Sequence, residues 1–323
     1  ALAQALPAAR VSYCLGSAIN DGVVGFPLHS MTHPATGEPG ALVRFLDGDG
    51  AELHREDRRS ATLVWFGGPA PVTTAASLEF STRYTPDATG TVHIGFASAG
   101  NGRVIIDGIQ RMEADVAADT PLGASFMQPP SGSVPVKVVA GVPIDVRIEY
   151  DMGMSETIIG AMSITVGIEP QHPAPHELIA EAVAAARESE VAVVVVGTTE
   201  HVESEGHDRT SLLLPGSQNE LVAAVAAVNP RTIVIVNSGA PVTMPWRDDV
   251  AAILICWFGG QDIGDAIADM LSGRAEPGGR LPTTWPAEES DVPVLNVTPA
   301  DGIVAYDEGI HIVTWADLDE VQR

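Results

Sequence analysis

Val191-Ala-Val-Val-Val-Val196, closed by Gly197, is the stretch on which the reading of this chain turns. Five valines and an alanine leave no polar position, so the run suits a strand buried on both faces, as parallel sheets require. Its surroundings alternate helix with strand. Upstream, Leu178, Ile179, Ala182, Val183 and Ala186 share one helical face. Downstream, Ser217 with Glu220 three residues on predicts a capping box ahead of Leu221, Val222, Val225 and Val228. Asn229-Pro230 stops that helix, Thr232 to Val236 reads as a second buried strand, and Ala251 to Phe258 as a third. A helix through Ile263, Ile267, Met270 and Leu271 ends at Gly273. Strands and helices in this order imply a parallel, doubly wound sheet with right-handed crossovers. Ligands of such sheets sit beyond the carboxyl ends of the strands, which directs attention to the loop after Val196.

Before residue 170 the period is two. Val92, Ile94 and Phe96 share one strand face, and Val142, Ile144, Val146, Ile148 and Tyr150 another. Asn101-Gly102 predicts a tight reversal into Val104 to Ile106, with Asp107-Gly108 following. Such runs without long helices indicate an antiparallel sandwich or barrel. The prolines of Pro170-Gln-His-Pro-Ala-Pro175 mark a junction. Ala1 to Ala9 reads as helix and Val11 to Leu15 as a short strand that joins the parallel sheet. The expected architecture is therefore a discontinuous α/β three-layer sandwich, residues 1–35 and 169–323, interrupted by an all-β inserted domain at 36–168.

Composition narrows the function. Forty-two acids against 17 bases give a formal charge of −25, which repels nucleic acid and anionic lipid. No apolar run approaches the roughly 20 residues that span a bilayer. No basic segment followed by an apolar core opens the sequence, so a cytoplasmic location is expected. Cys14 and Cys256 are too far apart in sequence for ligand spacing and read as buried thiols. His172 and His176 lie four apart, but the intervening prolines deny them a helical pair, so no metal is expected. Gly259-Gly260-Gln261-Asp262-Ile263-Gly264 lacks the central glycine of a dinucleotide loop, and no cofactor is expected. Trp246 and Trp257 read as core or loop anchors in preference to sugar platforms.

The chemistry concentrates after the first buried strand, where Glu200, Glu203, Glu205 and Asp208 fall within nine residues, interleaved with His201, His207 and Arg209. Crowded carboxylates favour the neutral acid, which a general acid needs near neutral pH. A solvated acidic loop is the plain alternative in so acidic a protein. Glu205-Gly206-His207-Asp208-Arg209, followed by Leu212-Leu-Leu-Pro215-Gly216-Ser-Gln218, resembles the acid/base loop of glycoside hydrolase family 3 β-glucosidases. The similarity continues through Gly239-Ala-Pro241-Val-Thr-Met-Pro245-Trp246, Trp257-Phe-Gly-Gly260-Gln261 and Pro277-Gly-Gly-Arg280-Leu-Pro282. The β region resembles the protective-antigen-type sandwich inserted in some members, best matched at Gly102-Arg-Val-Ile-Ile-Asp107-Gly108.

The resemblance implies retaining hydrolysis of terminal β-linked sugars by two carboxylates. It assigns the acid/base to Glu205, with Glu203 as runner-up and Glu200 behind, and gives His207, Asp208 and Arg209 to loop support or substrate binding. The family's nucleophile is an Asp in a Ser-Asp-Trp context on a preceding barrel; the 323 residues contain no such string, and Ser290-Asp291-Val292 is the nearest. The expected partners are thus a β-glycoside and a barrel-containing segment or chain, with homo-oligomerisation left open. The competing reading is a non-catalytic carbohydrate-binding or structural module derived from that family.

Overall fold

The computed structural model describes residues 1–19, 22–116, 129–152, 161–204, 209–292 and 298–304. These fall into two compact units: one from Ala1–Ile19, Pro173–Glu203 and the described part of Asp208–Arg323, the other from the described parts of Asn20–His172 and Ser204–His207.

The second unit is antiparallel throughout. Its strands are β1 (Val24–Gly25), β2 (Met31–Thr32), β3 (Ala41–Leu46), β4 (Glu52–Arg58), β5 (Thr62–Phe66), β6 (Ser77–Tyr84), β7 (Gly90–Ala97), β8 (Gly100–Ile106), β9 (Ile109–Val116), β10 (Ser131–Val138), β11 (Ile144–Asp151) and β12 (Ala161–Glu169). One sheet runs β1-β12-β7-β10 with β5 also on β12, and the other runs β4-β3-β6-β11-β8-β9 with β2 on β6. β1 and β2, two residues each, are too short to carry a period, yet both belong to these sheets. Alternation places Ile94, Phe96, Val146, Ile148 and Tyr150 in one core with Phe45, Phe80 and Ile164. Val142, expected on the β11 face, instead lies ahead of the strand and is exposed.

The reversal expected at Asn101-Gly102 is not there. Both residues lie inside β8, and β7 and β8 belong to different sheets, so no hairpin joins them. Gly102 serves packing instead: a Cβ at this position would stand 2.4 Å from the Phe96 ring. The tight hairpin is at Asp107-Gly108, whose φ values of 50° and 76° suit a type I′ turn between β8 and β9.

The first unit holds α1 (Leu2–Ala5), α2 (Pro175–Arg187), β13 (Ala192–Gly197), α3 (Gln218–Ala226), β14 (Thr232–Asn237), β15 (Ala252–Ile255) and α4 (Ile263–Leu271). The three strands form a parallel sheet in sequence order, with Val194 beside Val234 and Val234 beside Ile253. Ala192, Val194, Val196, Val234 and Val236 join Ala182 and Ala186 of α2 and Leu221, Val222 and Val225 of α3 in a second core. The burial expected on both faces holds for β14, the central strand, but not for β13, which is an edge. Val195 is 63% exposed there.

Three further expectations change. The N-terminal helix covers only Leu2–Ala5. Val11 to Leu15 is not a strand; Cys14 packs against the helix-lined core, and a Cβ on Gly16 would press on Leu221 and Ala182. The segment joins no sheet, and its Val11 and Tyr13 are exposed. Ser217 precedes α3 without a side-chain cap bond, so the capping box does not form. Both cysteines are half-buried, and burial pushes each thiol above its ordinary range, Cys14 with help from Glu181.

Candidate active site

The carboxyl end of the parallel sheet gathers the loops after β13, β14 and β15. β13 continues its pairing one residue past its end, where the Thr198 N–H donates to Asn237 O at 3.1 Å. Gly197 stands there because a Cβ would lie 2.1 Å from the Asn237 carbonyl. A turn follows, closed by Glu203 N–H to Thr199 O at 3.1 Å. It returns the Glu203 side chain to the strand ends.

Glu203 is heavily engaged. Its Oε1 accepts the Thr198 hydroxyl and, at 2.7 Å, the Gly239 N–H from the loop after β14. Its Oε2 faces Arg209 Nη1 at 3.8 Å, with the two side chains only 13% and 11% exposed. Arg209 also donates from Nη1 to the Pro241 carbonyl at 3.1 Å. Its Nε and Nη2 are buried without an acceptor. Glu200 is exposed. Glu205, His207 and Asp208, expected as acid/base and supporting residues, lie outside the described residues.

The chain beyond Arg209 is fixed to the same loop. Thr243 N–H donates to Leu212 O at 2.8 Å. Glu289 Oε1 accepts the Ser211 hydroxyl at 2.5 Å and the Leu212 N–H. These bonds, the hydroxyl first, with a smaller pull from Arg209, hold the Glu289 carboxyl below the usual carboxylate range. Beneath, Trp285 is fully buried and donates from Nε1 to Val242 O at 2.7 Å, and Trp257 meets its ring edge-on at 5.9 Å. Trp246 is buried and bonds Asn219 at 2.9 Å. Both tryptophans singled out in sequence are therefore engaged with protein. Trp257 has a φ of 52°, unusual for a bulky residue, and β15 ends at Ile255, three residues short of the expected Phe258.

Gln218 was missed by sequence reasoning. Its buried amide accepts from Gly197 N–H and donates to Gly197 O, both at 2.8 Å, and donates to Pro215 O at 2.9 Å. It pairs the open edge of β13 as a neighbouring strand would. Ser290 and Asp291 sit in a short 3₁₀ turn, where Asp291 accepts the Glu288 N–H at 3.0 Å. His172 and His176 are both exposed. Among the described residues no helix is long and apolar enough to cross a membrane.

The loop after β14 thus hydrogen-bonds Glu203 through Gly239, Arg209 through Pro241 and Leu212 through Thr243. Comparison with known proteins gives it a context. Residues 61–314 match the glycosyl hydrolase family 3 C-terminal domain. A β-glucosidase of Rhizobium radiobacter is 32% identical over 285 residues, 84% of this chain and 34% of the relative. β-Glucosidase B of Emericella nidulans is 32% identical over 264 residues, 76% of this chain and 31% of the relative. The chain thus spans about a third of the length of these relatives. A crystal structure of a Kluyveromyces marxianus β-glucosidase in complex with glucose superposes with a TM-score of 0.77 at 25% identity, covering 96% of this chain and 39% of that one.

Proposed function

Because the chain belongs to the glycosyl hydrolase family 3 C-terminal domain family, we propose that it supplies the acid/base loop for retaining hydrolysis of terminal β-linked sugars. In that chemistry one carboxylate attacks the anomeric carbon and displaces the leaving oxygen, which takes a proton from the second. Water, deprotonated by that second group, then releases the sugar with its configuration retained. Glu205 is assigned the second role. The nucleophile is assigned to barrel-containing polypeptide outside these 323 residues, and the parallel sheet to a three-layer α/β sandwich into which the antiparallel unit is inserted.

One observation carries the choice of Glu205. The Glu203 carboxyl already accepts two hydrogen bonds and faces Arg209, so its oxygens are engaged by the protein's own groups. That leaves the acid two residues on, in a segment whose flanks are both fixed. His207 and Asp208 belong to the same segment and are assigned to loop support or substrate binding.

The test uses the complete enzyme. Glu205→Gln is expected to slow glycosides with poor leaving groups on the order of 10²-fold or more, because protonation of the departing oxygen is lost. Dinitrophenyl glycosides need little protonation, so their first step is spared while the second stays slow. Azide needs no deprotonation and should restore that second step, giving a glycosyl azide of retained configuration. If Glu205→Gln leaves poor and good leaving groups equally affected and gives no azide product, the loop is scaffold and the catalytic reading of this chain fails.

A further inference from the structure

The loop after β15 gives two neighbouring aromatic residues different surroundings. Trp257, at φ 52°, meets the Trp285 ring edge-on at 5.9 Å and packs against the core of the parallel unit. Phe258, the next residue, is 55% exposed. A positive φ is unfavourable for a bulky side chain, and backbone strain of this kind concentrates at binding and active sites. The Phe258 ring nevertheless has a seat. A Cβ on Gly239, in the loop after β14, would stand 2.6 Å from it, so the ring rests on backbone that only glycine leaves open. The same Gly239 donates its N–H to Glu203 Oε1 at 2.7 Å. Phe258, Gly239 and Glu203 thus join the loops after all three parallel strands, at the end of the sheet where ligands of such folds bind.

We propose that Phe258 is a specificity-determining residue, an aromatic platform on which the departing part of a β-glycoside stacks when that part carries a ring. Trp246 and Trp285 are buried and Trp257 faces the core, so of these four aromatic residues Phe258 alone keeps its ring open. The leaving group is assigned to it by the chemistry: an acid/base carboxyl protonates the departing oxygen, so the surface beside its loop serves that side of the substrate. This choice of ligand rests on the Proposed function. With its ring against Gly239 and more than half of its surface in water, Phe258 offers apolar area that a flat ring covers and a compact, ring-free group covers poorly.

The experiment compares two substrates of the complete enzyme, phenyl β-glucoside and hexafluoroisopropyl β-glucoside, whose leaving groups are similar in acidity and differ in the ring. Phe258→Ala is expected to lower kcat/KM about 10-fold on the phenyl substrate and less than about 2-fold on the other. Hydrolysis of the glycosyl-enzyme intermediate, from which the leaving group has gone, should keep its wild-type rate. Phe258→Tyr retains the ring and should retain the wild-type preference. If Phe258→Ala does not fold, Phe258→Leu keeps the apolar bulk without the flat ring and takes its place, its loss again confined to the phenyl substrate. Equal losses on both substrates, or no loss on either, would overturn the platform. Glu205→Gln, assayed alongside, should slow both substrates alike, since both departing oxygens need the same proton. If it slows neither, the Proposed function fails, whatever the preference of Phe258→Ala.

Discussion

Gln218 does at the residue scale what a fourth strand would do. β13 is an edge, and its last peptide would otherwise present an unpaired N–H and C=O to a crowded loop. The side-chain amide carries the same donor and acceptor in the same spacing, and it takes both. The bond to Pro215 O uses its remaining hydrogen, so the buried group is fully satisfied. This also explains the failed capping box: with Gln218 drawn onto β13, Ser217 adopts φ −95° and ψ 26°, outside the extended conformation that a capping serine needs. Gln218→Ala strands several partners and leaves a small void. It is expected to lower unfolding stability by about 2–4 kcal/mol, read as a fall in the urea midpoint at unchanged slope. A loss under 0.5 kcal/mol would mean that water replaces the amide freely.

At the scale of elements, the short 3₁₀ turn Glu289–Asp291 clamps the segment Ser211–Leu212 from outside the sheet. Its own geometry is set by Asp291, which accepts the Glu288 N–H. The Glu289 carboxyl is depressed by the Ser211 hydroxyl and the Leu212 N–H. The clamp therefore favours the charged form, and its stabilisation is fully present above the unfolded carboxylate value of about 4.3. It is lost as pH falls through the lower folded value, because the unfolded chain binds the proton first. Urea midpoints measured from pH 7 down to pH 3 should accordingly fall more steeply for the wild-type chain than for Glu289→Gln. Parallel curves over that range would show that the exposed carboxyl contributes nothing to stability.

On the scale of the whole molecule, each unit has a core of its own. Phe45, Phe80, Phe96 and Ile148 centre the antiparallel one; Val194, Val222, Val234 and Trp285 centre the parallel one. Joining residue 19 to residue 173 through a short glycine-serine linker, with the intervening chain removed, should leave the parallel unit folded. Closing a long loop costs only slowly more than closing a short one, and no strand of the parallel sheet is removed. Circular dichroism and a cooperative thermal transition would report this. A non-cooperative melt would show that the antiparallel unit supplies part of the other's stability.

Much of this was legible in the sequence because it depends on local periodicity. The valine run, the helical faces of α2 and α3 and the glycine after α4 follow from side-chain spacing and backbone sterics, which act over a few residues. The loop after the first parallel strand was legible in the same way, and the described Glu203 lies in it. Other features needed the third dimension. That β13 is an edge, that Val11 to Leu15 joins no sheet, and that Asn101-Gly102 sits within a strand depend on which segments become neighbours. Glu203, Glu205 and Glu200 are alike as letters. Only the approach of Gly239, more than 30 residues on, with Arg209 at its other oxygen, shows how the Glu203 carboxyl is anchored. Hydrogen bonds between residues distant in sequence leave no period for a reader of the chain to find, so the sequence located the loop that carries Glu203 and only the tertiary structure gave that side chain its partners.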